Sequence, residues 1–133
     1  MIGGLSGTTV LIVDNDVDSL DIVELIIAEQ GGTVRSATSG REVLEVLQTW
    51  RPDIILLDIS MPEMDGYDLL AAIRREPALR SIPAVALTGH GYARDKQRSE
   101  DAGFVRHITK PLDIETLLQV IVELVPAKTL AVV

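Results

Sequence analysis

Cysteine is absent from the 133-residue chain, so no disulfide can staple it. Positive charge is scarce as well: twelve Lys and Arg stand against twenty Asp and Glu, for a net charge of -8. Such a balance repels phosphate backbones and anionic lipid, which makes direct nucleic-acid binding a poor expectation. Long apolar runs are missing too. Ile54 to Leu57 is typical of what is present, far below the ~20 residues that cross a bilayer. No basic segment precedes an apolar stretch at Met1 to Gly7, as a secretory signal would require. Internal repeats, low-complexity stretches and linkers are likewise absent. Together these absences point to a cytoplasmic setting without membrane or nucleic-acid contact.

What is present is a 47% hydrophobic content in a chain long enough for one domain and too short for two ordinary ones. The whole of 1–133 is expected to form that domain, with a core over about 8–125 and a tail at 126–133 whose apolar end has no assigned role. Apolar runs of strand length alternate with segments of helical period along the chain. Val10 to Val13, Ile54 to Leu57 and Ala84 to Leu87 are almost wholly apolar, as strands covered on both faces must be. Thr33 to Ala37 and Val105 to Thr109 are more polar and are expected nearer the sheet edges.

Helical spacing recurs at Leu20, Val23 and Ile27; at Val43, Leu47 and Trp50; at Leu69 and Ile73; and at Ile114, Leu117, Ile121 and Leu124. Ser39, Asp65 and Asp113 carry the side-chain oxygen of an N-cap, and Gly31 is placed to close the first helix. Tyr92 to Gly103 lacks a large aliphatic residue, so a helix there would bury little and is expected to be mobile. Five strands alternating with five helices through right-handed crossovers give an α/β fold, a doubly wound parallel sheet. Such sheets bind ligands beyond the carboxyl ends of their strands.

The residues following each strand are Asp14, Asn15 and Asp16, then Asp58, then Thr88, then Lys110. Singly, each reads as well as a cap, a turn former or a solvated surface residue. Collected in one pocket, several carboxylates repel one another unless a cation offsets them, and one ammonium is a weak answer. Oxygen ligands without His or Cys suit a hard divalent ion, and a few carboxylates with room for water suit Mg²⁺ better than a fully caged Ca²⁺. Mg²⁺ beside a carboxylate in turn points to phosphate.

Here the chain resembles the receiver domains of two-component response regulators. VLIVDNDVDSL from Val10 to Leu20 is similar to their acidic first motif, and IILLDISMPEMDG from Ile54 to Gly66 to their phosphoacceptor motif. Ala86-Leu87-Thr88 and Thr109-Lys110-Pro111 are similar to the last two. The resemblance covers roughly Thr8 to Val125. It implies a flavodoxin-like five-stranded sheet of order 2-1-3-4-5. It also implies that Asp58 accepts a phosphoryl group from a histidine kinase or histidine phosphotransfer protein, with Lys110 and Thr88 assisting. Asp14, Asn15, Asp16, Asp58 and the carbonyl of Ser60 would hold Mg²⁺. Thr88 and residue 107 would form a switch, and Ser60 and His90 would tune phosphoryl lifetime. Receivers often carry an aromatic ring where His107 stands; a switch role and a plain place on an edge strand are equally open for it. A cis bond before Pro111 is implied, as is self-phosphorylation and autodephosphorylation instead of conventional turnover. With no output domain in this sequence, the signal is expected to pass to a downstream protein through the fourth helix, fifth strand and fifth helix, a face that could also pair two copies.

Two other readings compete. Asp14-Asn15-Asp16 also fits the Asp-x-Asp nucleophile of haloacid-dehalogenase-like phosphohydrolases, but that pattern wants an apolar residue at Asp18, gives Asp58 no role, and leaves little room for a cap domain. A receiver-shaped interaction module that is never phosphorylated is the other, because Asn15 replaces the second of two adjacent acids. An amide oxygen is a neutral ligand, so Mg²⁺ should bind more weakly than with both acids present. Asn15→Asp is expected to tighten Mg²⁺ several-fold in a calorimetric titration; an unchanged affinity would remove Asn15 from the ligand shell.

Overall fold

A computed structural model of the chain describes residues 4–61, 65–89 and 92–125, with the backbone alone at 92–96. His90, Pro62 and the tail at 126–133 lie outside the described residues. Five parallel strands form the sheet: β1 (Thr9–Val13), β2 (Thr33–Ala37), β3 (Ile54–Asp58), β4 (Ala84–Thr88) and β5 (Arg106–Thr109). Their order is β2-β1-β3-β4-β5, which places the two more polar strands at the edges. The five α-helices are α1 (Val17–Glu29), α2 (Gly40–Thr49), α3 (Gly66–Arg74), α4 (Tyr92–Ala102) and α5 (Ile114–Leu124).

Successive side chains of a strand point to opposite faces, so each central strand supplies two cores. Leu11, Val13, Ile55, Leu57 and Ala86 pack with Val43, Leu47, Leu69 and Ile73 under α2 and α3. Val10, Ile12, Leu56, Val85 and Leu87 pack with Leu20, Val23, Ile27, Leu117 and Ile121 under α1 and α5. Each fully buried Leu or Ile contributes roughly 1.5–3 kcal/mol of transfer free energy, and β3, buried at every position, is the centre of both layers. The core starts earlier than expected, since Leu5 is buried against the α1–α5 layer.

Asp16, Ser39, Asp65 and Asp113 cap α1, α2, α3 and α5 through their side-chain oxygens. Gly31 ends α1 with φ at 88°, a conformation that a Cβ would crowd. Trp50 is not on the helical stripe of α2 but follows its last turn, half-buried on the core with the Arg35 guanidinium 5.2 Å from its ring centroid. Ile114 also departs from expectation. It opens α5 directly after the Asp113 cap and stays 51% exposed. In α4 the expected poverty of large aliphatics holds; Ser99 is buried and Ala102 packs partly on the core.

Gly66 ties α3 to the end of β3. Its N–H donates to Ile59 O at 3.2 Å, and a Cβ there would lie 2.6 Å from Ile59 Cα and 3.1 Å from Asp58 O. Those neighbours are backbone atoms, which cannot swing aside. Gly66→Ala should therefore cost about 1–3 kcal/mol, read as a lower urea midpoint at unchanged slope.

Candidate functional site

The parallel register builds the site. Val13 pairs with Leu57, Asp58 with Leu87 and Thr88 with Thr109, so Asp14, Asp58, Thr88 and Lys110 emerge side by side at the carboxyl edge. Asp14 is wholly buried, and Asp58 and Thr88 are nearly so. Lys110 Nζ lies 2.7 Å from Asp14 Oδ2 and 3.1 Å from Asp58 Oδ2, bridging the two carboxylates. The Lys110–Pro111 peptide bond is cis, and the Lys110 N–H donates to Thr88 O at 2.6 Å. Asp58 Oδ1 accepts from the Ser60 N–H at 2.9 Å, and Asp14 Oδ1 from the Asp16 N–H at 3.0 Å.

Charge does not balance within this cluster. Burial pushes the Asp14 carboxyl above its ordinary range, against the opposing pull of Lys110 and of the Asp16 N–H. Burial also works against the Lys110 ammonium, but contacts with Asp14 and Asp58 outweigh it and raise its pKa. One ammonium facing two buried carboxylates leaves a net negative pocket. Among the described residues Asp14 Oδ2 is met by the Lys110 ammonium alone, and the buried Thr88 Oγ1 has no partner. A buried unsatisfied polar atom costs about 1–3 kcal/mol. A carboxylate pair short of one countercharge and a free hydroxyl at the rim of one pocket suit a cation and an anion that accepts a hydrogen bond.

The structure thus brings together Asp14, Asp58, Lys110 and Thr88, and leaves others apart. Asp16 is exposed and committed to α1: Oδ1 accepts from the Asp18 N–H at 3.3 Å and Oδ2 from the Ser19 hydroxyl at 2.7 Å. Asp16 adjoins Asp14 in sequence while its carboxylate serves as the cap of α1, and among the described residues no group of three His, Cys, Asp or Glu is placed to hold a metal ion. Asn15 is exposed, and Ser60, also exposed, faces the site through its backbone. The same capping argues against the dehalogenase-like reading, which needs Asp14 and Asp16 as a working pair. His107 stands on edge strand β5 opposite Ala86, half-buried. The His90 assignment falls outside the described residues.

Beside Lys110 a groove of about 440 Å³ runs between α1 and α5, lined by Ile22, Ile26, Leu112, Ile114 and Leu117. Ile22 and Ile114 are exposed in it. Sequence reasoning missed this groove, since its walls come from elements far apart in the chain.

Residues 10–122 match the family model described as the response regulator receiver domain. The chain is 32% identical to the uncharacterized 14.6 kDa protein in the sodA1 3′ region of Leptolyngbya boryana, covering 88% of this chain and 89% of that protein. It is 37% identical to a probable cyclic di-GMP phosphodiesterase of Vibrio cholerae over 85% of this chain, but it spans only 25% of that relative's length. Among solved structures, the signal receiver domain of a signal transduction histidine kinase from Syntrophus aciditrophicus superposes with a TM-score of 0.82 at 32% identity, covering 96% of this chain and 98% of that one.

Burial holds the His107 imidazole below its ordinary pKa of 6.5, so the folded chain favours the neutral ring. The unfolded chain then binds more protons once the pH falls through 6.5, and stability drops from there down to the folded pKa. His107→Phe should flatten that segment of the stability–pH curve between pH 7.5 and pH 5, measured as urea midpoints; a slope equal to that of the unsubstituted chain would contradict it.

Proposed function

The chain belongs to the response regulator receiver domain family, and from that premise we propose that it is a phospho-acceptor switch in which Asp58 takes a phosphoryl group from a phosphohistidine. The observation that carries this reading is Lys110 held between Asp14 and Asp58 in a pocket that keeps a surplus of negative charge and, among the described residues, a buried hydroxyl without a partner. A carboxylate oxygen of Asp58 attacks phosphorus, the P–N bond to the donor imidazole breaks, and the departing ring takes up a proton. The product is an acyl phosphate on Asp58. The Ser60 N–H and Lys110 fix the carboxylate from either side before attack, so its orientation is set in advance.

The donor set fits Mg²⁺, which would be held by Asp14, Asp58 and the Ser60 carbonyl, with Asn15 and Asp16 close enough in sequence to act through water. When bound, the ion supplies countercharge to the equatorial phosphoryl oxygens. Lys110 shares that work and is electrostatic, not nucleophilic. Thr88, with its hydroxyl buried and unpartnered, would donate to a phosphoryl oxygen and be drawn toward it; His107, one strand over, would respond by packing in its neutral form. Ser60, and His90 by its place in the sequence, would govern water access to the acyl phosphate and hence its lifetime.

The groove with exposed Ile22 and Ile114 beside Lys110 supports a protein donor, a histidine kinase or histidine phosphotransfer protein. Output would pass to a downstream protein, or to a second copy, through α4, β5 and α5, where Val105 and Val122 are exposed. A cytoplasmic setting belongs to the same proposal. No described helix is long and apolar enough to cross a membrane.

Acetyl phosphate with Mg²⁺ should add the mass of one phosphoryl group to the chain. Chelation of the metal or Asp58→Asn should abolish the gain in intact-mass spectrometry. Equal modification of the Asp58→Asn variant would refute the assignment.

A further inference from the structure

Tyr67 on α3 and Arg98 on α4 belong to a cluster that phosphotransfer does not use. The Arg98 guanidinium carbon sits 4.0 Å from the Tyr67 ring centroid, and Nη2 lies 3.7 Å from Asp65 Oδ2. Asp65 caps α3 through its other oxygen. The Tyr67 hydroxyl is 3.4 Å from Ser99 Oγ, the one buried side-chain hydroxyl described in α4. Phe104, just past α4, meets the Tyr67 ring edge-on at 6.2 Å. A cation, a hydroxyl and an aromatic edge all converge on one tyrosine.

The two helices are not equally free. α3 is fixed to the residue after Asp58 by the close approach of Gly66 to Ile59. α4 follows Thr88, whose hydroxyl awaits a partner in the pocket. If Thr88 is drawn toward a phosphoryl group, α4 is pulled at its leading end while α3 stays in place, and the contacts between them must stretch. We propose that Tyr67, Arg98 and Ser99 form a clasp that holds α4 in its unphosphorylated position and so opposes the response to occupancy of Asp58. The proposal rests on the phospho-acceptor reading and names the regulation of that site. Arg98 and Tyr67 are positioning residues here; neither touches the reacting atoms.

A largely exposed cation such as Arg98 over a partly buried aromatic such as Tyr67 contributes ~0.5–1 kcal/mol, which corresponds to a two- to fivefold shift between two states. The test is calorimetric titration with beryllofluoride, a phosphoryl mimic, in saturating Mg²⁺. Arg98→Ala, at a largely exposed side chain, should bind it two- to fivefold more tightly, with Arg98→Lys in between. Arg41→Ala, which removes the same charge from a surface pair on α2, should leave affinity unchanged. In a Thr88→Ala background the effect of Arg98→Ala should vanish. Unaltered affinity in Arg98→Ala, equal tightening in Arg41→Ala, or persistence without Thr88 would each overturn the clasp while leaving the receiver reading intact. Failure of the unsubstituted chain to bind beryllofluoride would instead overturn that reading and the clasp with it.

Discussion

The ammonium of Lys110 lies between two buried carboxylates, and the rest of the site follows from how incompletely it neutralises them. Removing two carboxylates from water costs several kcal/mol each, and one cation offsets only part of that. Asp14, the more deeply buried of the two, carries the deficit as a raised pKa. The proposed metal and phosphoryl group would supply the positive charge and the hydrogen-bond acceptor that this pocket lacks. The frustration is local, and the surrounding layers are fully apolar.

Those layers make the frustration tolerable. β3 is buried along its whole length and ends at Asp58, so the proposed phosphoryl acceptor is held by a fully buried strand. β1 and β4 flank it in parallel register and deliver Asp14 and Thr88 to the same edge without further adjustment. Lys110 arrives from edge strand β5. The fully buried centre of the sheet thus carries Asp58, and the side reached through Thr88 leads to α4, a helix with few apolar anchors. In the proposed switch a charge placed at Asp58 would be felt on a distant surface, since displacement would pass outward along the weaker attachments.

Much of this was legible in the residues. Strand-length apolar runs and helical stripes are dictated by burial, and burial is periodic, so the five strands, the helices and the edge placement of β2 and β5 could be read directly. Side-chain caps were legible for the same local reason: Ser39, Asp65 and Asp113 each act within a few residues of themselves. The site residues were legible as the polar residues that end apolar strands, and motif resemblance gave them roles.

Local chemistry and long-range geometry parted company at Asp16, Trp50, Ile114 and Tyr67. Sequence grouped Asp16 with the expected metal ligands because it adjoins Asp14, and only the structure shows its carboxylate also capping the start of α1. Trp50 and Ile114 continue helical stripes on paper, but one lies past its helix and the other, first in its helix, stays exposed. The stacking of Arg98 on Tyr67 and the groove between α1 and α5 join elements far apart in the chain, and no spacing rule encodes them. The sequence by itself determined which residues must be buried and which strand ends must carry charge, since those depend on each residue's own cost of meeting water. Only the tertiary structure decided which charges meet, because pairing depends on register and helix placement, and those are properties of the whole chain.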